Sequence, residues 1–162
     1  MKSIDSLKNT GAGKVIATMP KVEIFTDGAC KGNPGPGGYG CIIKQNGKVL
    51  ELKGAERQTT NNIMEMMAAV VALQHLQEPS EVELTSDSQY LVKGMTQWID
   101  GWVRKNWLTA ARQPVKNKAI WLKLLALDQR HKILWKWTRG HSGHPENERA
   151  DALANEALAH LR

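Results

Sequence analysis

The sequence predicts an α/β fold, with helices packed on a mixed sheet of five strands. Three observations carry that reading. Strand-like and helix-like segments follow one another in the order βββαβααβα, the pattern of helices layered on a sheet. Asn46-Gly47, the strongest short hairpin signal, joins two strand-like runs, so the first three strands are consecutive and antiparallel. The chain has 162 residues, 41% of them hydrophobic and 23% charged, which suits one domain with a real core and excludes wholesale disorder.

Residues 1–19 are polar, contain glycine and lack periodicity, and are expected to form a flexible extension before a single domain over 20–162. Val22 to Thr26 reads as the first strand, ending at the turn signal Asp27-Gly28. The run Gly32-Asn33-Pro34-Gly35-Pro36-Gly37-Gly38 is incompatible with helix or interior strand. Tyr39 to Lys44 and Lys48 to Lys53 read as the hairpin strands. A helix is expected from Thr59 to Gln77, with N-cap candidates in Thr59-Thr60-Asn61-Asn62. Glu81 to Ser86 alternates as a strand that stops at Asp87. Ser88 to Asn106 looks helical with breaks at Gly94 and Gly101, and Lys116 to Gln129 is a further helix after the Pro114 loop. Ile133 to Thr138 is the fifth strand. Pro145 opens a last helix whose Ala150, Leu153, Ala154, Ala157, Leu158 and Leu161 share one apolar face.

The charge is local. The chain carries +6, and residues 93–123 hold seven basic side chains (Lys93, Arg104, Lys105, Arg112, Lys116, Lys118, Lys123) against the single acid Asp100. The remainder is balanced. A basic patch on a neutral body points to a polyanionic partner. Four of the six tryptophans, Trp98, Trp102, Trp107 and Trp121, lie in the same segment. Trp98 and Trp102 are four residues apart and share a helix face, offering a flat surface beside charge, as nucleic-acid strands require. No apolar run approaches the ~20 residues of a membrane span. Cys30 and Cys41 form neither a disulfide framework nor a zinc pattern, so a reducing cytoplasm is the expected compartment. A monomer is expected.

Three acids stand where packing alone would not put them. Asp27 and Asp87 end strands, and Glu65 is the only acid between Thr59 and Gln77, in a helix apolar on almost every side. Asp151 lies beside the apolar stripe of the last helix. A carboxylate in such surroundings needs a cation or a polar cleft. Four converging carboxylates suit Mg²⁺, which takes oxygen ligands, and two such ions serve phosphodiester cleavage. His141, between Gly140 and Gly143, is on the residues alone either a loop bystander or a proton shuttle.

Taken together, Ile24-Phe25-Thr26-Asp27-Gly28-Ala29-Cys30, Gly32-Asn33-Pro34-Gly35, Thr59-Thr60-Asn61-Asn62 with Met64-Glu65, Thr85-Ser86-Asp87-Ser88-Gln89-Tyr90, and Gly140-His141 through Glu148-Arg149-Ala150-Asp151 resemble the bacterial ribonuclease HI family. The resemblance runs from about Lys21 to Leu161 in family order and spacing. It implies a ribonuclease H-like fold, a five-stranded mixed sheet with helices on both faces. It implies endonucleolytic hydrolysis of the RNA strand of RNA–DNA hybrids, with two Mg²⁺ ions (Mn²⁺ as a substitute), 5′-phosphate and 3′-hydroxyl ends, and little sequence preference. Asp27, Glu65, Asp87 and Asp151 match the family's metal-binding carboxylates, and His141 its catalytic histidine. Cys30, Asn33, Asn61, Asn62 and Gln89 match contacts in the hybrid's minor groove. Thr60 and Asn117 match a pocket for a DNA-strand phosphate, although Gln58 stands where relatives often have arginine. Residues 94–112 resemble a basic protrusion, with Trp98 and Trp102 on the DNA side, and the local charge leads to the expectation that Arg104, Lys105 and Arg112 bind the hybrid backbone. A strand-transfer nuclease on the same fold and a non-catalytic hybrid-binding module are the alternatives, separable by a substrate panel and by turnover with and without chelator.

Overall fold

The computed structural model describes residues 19–140 and 144–161, so the expected extension, Met19 apart, lies outside the described residues. Five strands form one mixed sheet in the order β3-β2-β1-β4-β5. These are β1 (Lys21–Cys30), β2 (Gly35–Gln45), β3 (Lys48–Thr59), β4 (Glu81–Ser86) and β5 (Lys132–Trp137). β1, β2 and β3 pair antiparallel, and β4 and β5 add in parallel beside β1. The mixed sheet with its antiparallel strands first is as the sequence predicts.

Helices cover both faces. On one face, Val22, Ile24, Val82, Leu84 and Trp135 of the sheet meet Met66, Ala69, Val70 and Leu73 of α1 (Asn61–His75). Trp121 and Leu124 of α4 (Lys118–Arg130) close the same core. α1 begins where it does because Thr60 is extended and its Oγ1 accepts the Ile63 N–H at 3.1 Å, satisfying a donor with no partner inside the helix. On the other face lies α5 (Pro145–Ala159), opened by its proline and burying Ala150, Leu153, Ala154, Ala157 and Leu158.

Several boundaries differ from the sequence reading. β1 does not stop at Asp27. Its antiparallel pairing with β2 continues through Asp27↔Gly40 to Cys30↔Gly37, whereas its parallel pairing with β4 ends at Thr26↔Ser86. β2 starts inside the glycine run, and β3 extends to Thr59. Gly32, at φ +81°, serves the turn, whereas Gly38, like Gly40 beyond the run, is there for space. A Cβ on Gly38 would lie 2.2 Å from the Ala154 carbonyl oxygen, and one on Gly40 2.6 Å from that of Ala150, so α5 lies directly on the β2 backbone. At Gly94 the helix changes type without ending, against the expected break. α2 (Gln89–Lys93) gives way there to a π-helical turn over Gly94–Trp98, and a Cβ at Gly94 would sit 2.0 Å from the Trp121 ring. Gly101 breaks nothing and lies within α3 (Ile99–Arg104).

Candidate active site

The register of the sheet explains how distant acids meet. Thr26 and Ser86 are the last paired residues of the parallel strands β1 and β4, so Asp27 and Asp87 emerge side by side where that pairing ends. Asp27 is therefore in mid-strand, against the expectation that it ends one, and is only 4% exposed. Gly28, next to it, admits α1: a Cβ there would be 2.6 Å from the Glu65 nitrogen. That approach brings Glu65 to Asp27. Carboxylate oxygens of Asp27, Glu65 and Asp87 all lie within 4.8 Å of one another. Asp151 arrives from α5, on the sheet face that Asp27 shares with Gly40, and its carboxyl meets that of Asp27.

The cluster is electrostatically incomplete. Burial pushes the Asp27 carboxyl up to about 8, with further increments from the charges of Asp87 and Asp151, while the Gly28 N–H donated to Oδ1 at 2.8 Å works against them. Glu65 is pushed well above the carboxylate range, first by burial and then by Asp27 and Asp87. Glu65 Oε1 and Asp87 Oδ1 are buried, and neither receives a hydrogen bond among the described residues. None of the four acids forms an ion pair with a basic side chain among the described residues. Buried acceptor oxygens without donors, in an all-oxygen set, fit a hard divalent cation.

Around the cluster, the predicted contact residues occupy two regions. Asn33 Oδ1 accepts the Asn61 N–H at 2.9 Å, tying the Gly32–Pro34 loop to the N-terminus of α1, where Asn61 and Asn62 are exposed. Cys30 Sγ is half-buried in the same region, 3.5 Å from the Thr59 carbonyl oxygen. Gln89 is exposed at the start of α2, two residues after Asp87. In the second region, Trp98, Trp102 and Trp121 form a continuous aromatic cluster, with ring centroids 5.9 Å apart for Trp98 and Trp102 and 5.2 Å for Trp102 and Trp121. Trp121 is fully buried, whereas Trp98 is 36% exposed. Arg104, Lys105 and Arg112 are exposed, and among the described residues none of the seven cations of 93–123 is paired with an acid. Thr60 and Asn117 share no hydrogen bond with each other among the described residues. His141 lies outside the described residues.

The structure adds residues to which sequence reasoning assigned no role. Asn155 Nδ2 donates to the Asp151 carbonyl oxygen at 2.9 Å and to its Oδ1 at 3.3 Å, and the i,i+4 spacing on α5 is the signal that could have revealed it. Tyr90 Oη accepts from Asn117 Nδ2 at 3.2 Å and from Trp121 Nε1 at 3.3 Å, orienting the Asn117 amide. Trp137 Nε1 donates to the Asp87 carbonyl oxygen at 3.1 Å, a contact with no local sequence signal. A cleft of about 740 Å³ lined by Lys21, Glu23, Lys48, Val49 and Leu134 lies at the opposite end of the strands from Asp27 and, among the described residues, has no comparable acid triad.

Comparison with known proteins agrees with this arrangement. The RNase H family model matches residues 19–159. The ribonuclease H of Geotalea uraniireducens is 59% identical over 138 residues, 85% of this chain and 94% of that protein. That of Alcanivorax borkumensis is 55% identical over 144 residues, 89% of this chain and 95% of that protein. Among solved structures, LC9-RNase H1, a type 1 RNase H with the type 2 active-site motif, superposes with a TM-score of 0.79 at 32% identity, covering 90% of this chain and 74% of that one. LC11-RNase H1, solved in complex with an RNA/DNA hybrid, gives a TM-score of 0.63 at 28% identity, covering 85% of this chain and 96% of that one. A family match over nearly the whole described domain, joined to an acid cluster suited to a divalent metal, places the chain in the ribonuclease H family as an endonucleolytic hydrolase.

Proposed function

We propose that this protein hydrolyses the RNA strand of RNA–DNA hybrids, using two Mg²⁺ ions (with Mn²⁺ as a substitute) and leaving 5′-phosphate and 3′-hydroxyl ends. The observation that carries the reading is the triad of Asp27, Glu65 and Asp87, with buried oxygens that receive no donor. The hybrid bound by LC11-RNase H1 supports the choice of substrate.

Asp27, Glu65, Asp87 and Asp151 would hold the metal. Divalent ions bound there supply an activated water and neutralise charge on the leaving oxygen. Asn155 holds Asp151 in position through its two hydrogen bonds. His141 carries a proton to or from the reacting phosphate. Cys30, Asn33, Asn61, Asn62 and Gln89 contact the minor groove, where the 2′-hydroxyl distinguishes RNA from DNA. Thr60 and Asn117 take a DNA-strand phosphate, with Tyr90 orienting the Asn117 amide. Trp98 and Trp102 support the DNA strand, and Arg104, Lys105 and Arg112 meet its backbone. Since these contacts are to phosphate, sugar and ring faces, little base preference follows.

The test is a labelled substrate panel of hybrid, duplex DNA and duplex RNA, with Mg²⁺ and with EDTA. Cleavage confined to the RNA of the hybrid, and lost with EDTA, is expected. Cleavage of duplex DNA, or turnover that survives EDTA, refutes the reading.

A further inference from the structure

We propose that Trp137 is a positioning residue for the metal site, its indole N–H fixing the backbone of Asp87. The inference rests on the reading of the acid cluster as a divalent-metal site. Asp87 differs from the other acids of the triad in lying outside regular structure, between the end of β4 and the Ser88 cap of α2. That turn is stitched down at its neighbours. Ser86 Oγ accepts the Ser88 N–H at 3.0 Å, and the Ser86 carbonyl accepts the Thr138 N–H at 2.9 Å. The β4–β5 register ends at Ser86↔Trp137. The next carbonyl, that of Asp87, receives the indole Nε1–H at 3.1 Å instead.

Two further observations give this bond a purpose. Trp137 is 42% exposed, so filling the core does not account for so large a side chain there. The chain leaving β5 then passes close to the Asp87 carboxyl: a Cβ on Gly140 would lie 3.2 Å from Asp87 Oδ2. Asp87 faces Asp27 and Glu65, both of which its charge disfavours, and its Oδ1 is buried without a donor. A carboxylate on a turn, with a buried oxygen that receives no donor, keeps its aim at Asp27 and Glu65 only while the turn's backbone is held. The indole supplies that hold from the neighbouring strand, so its loss should weaken metal binding more than folding.

Trp137→Phe keeps an aromatic ring and deletes the N–H. The measurements are calorimetric Mg²⁺ titration of the free protein, the Mg²⁺ midpoint for hybrid hydrolysis, and the melting temperature without metal. The expected result is a Mg²⁺ midpoint raised about three- to tenfold in both titrations, the scale of one lost hydrogen bond, with a nearly unchanged metal-free melting temperature. In an Asp87→Asn background the same substitution should weaken Mg²⁺ binding no further, because the bond acts only through that carboxylate. A wild-type Mg²⁺ dependence in Trp137→Phe, or an equal added loss in the Asp87→Asn background, overturns the proposal. A wild-type protein that neither binds Mg²⁺ nor needs it for turnover would instead refute the metal reading, and this inference with it.

Discussion

Asp27 is the residue on which metal, fold and pH meet. It is buried in mid-strand, and its carboxyl is raised from an ordinary 3.8 to about 8 by burial and by Asp87 and Asp151. An acid whose folded value is raised contributes stability that is fully present below its unfolded value and is lost as pH rises through the folded one. The metal-free protein should therefore lose stability between about pH 4 and pH 8. Asp27→Asn should flatten that decline, melt higher than wild type at pH 8 without metal, and have no measurable Mg²⁺-dependent turnover. Melting curves across this range and a hybrid cleavage assay check both halves. Wild-type turnover at millimolar Mg²⁺ would remove Asp27 from the site. His141→Ala should slow turnover by ~10²–10⁴-fold while leaving hybrid affinity nearly intact, since a proton carrier acts in the chemical step. If binding collapses and the turnover of bound hybrid is unchanged, His141 is a contact and not a carrier.

Among the elements, α5 and the basic segment make separate demands. α5 rests on the bare backbone of β2 at Gly38 and Gly40. Gly40→Ala would drive a methyl into the Ala150 carbonyl and should cost about 1–3 kcal/mol of stability, read from urea denaturation, as overpacking does. A neutral outcome would mean that α5 can lift away. The segment from Lys93 to Lys123 exposes cations that no acid neutralises among the described residues. Phosphate contacts release counterions, so hybrid affinity should fall linearly on a log–log plot against salt, and each lost contact should flatten the slope by roughly 0.7–0.9. Neutralising Arg104, Lys105 and Arg112 together should weaken binding to all hybrid sequences alike and raise KM with kcat little changed. Equal slopes for wild type and the triple variant would place the binding face elsewhere. This patch was legible in the sequence because charge counts need no contacts. Trp121 is buried against Gly94, where its ring leaves no room for a Cβ, whereas Trp98 reaches the surface.

At the scale of the whole molecule, the four acids come from β1, α1, the turn after β4, and α5, so the site exists only when nearly the whole domain is folded. A metal bound there stabilises the entire domain by mass action, by roughly 2.7 kcal/mol at a hundred times its dissociation constant. Mg²⁺ should raise the melting temperature, more at pH 8 than at pH 5, because protons compete for the same oxygens. An equal rise at both pH values would detach the effect from these carboxylates. Residue types and their order are enough for the succession of strands and helices, for an N-cap within Thr59-Thr60-Asn61-Asn62, for the Pro145 start of α5 and for the choice of acids. Those features rest on hydrophobic period, capping chemistry and residue type, which act over a few neighbouring residues. Packing between distant segments settles that β1 continues past Asp27-Gly28, that the glycine run enters β2, and that Tyr90 and Trp137 bond to Asn117 and to the Asp87 carbonyl. Each depends on which backbone lies against which: Gly28 spares room for α1 and Gly40 for α5, and Trp137 reaches a carbonyl fifty positions away in the chain. Long-range packing decides such contacts, and it leaves no periodic trace in the residues that make them.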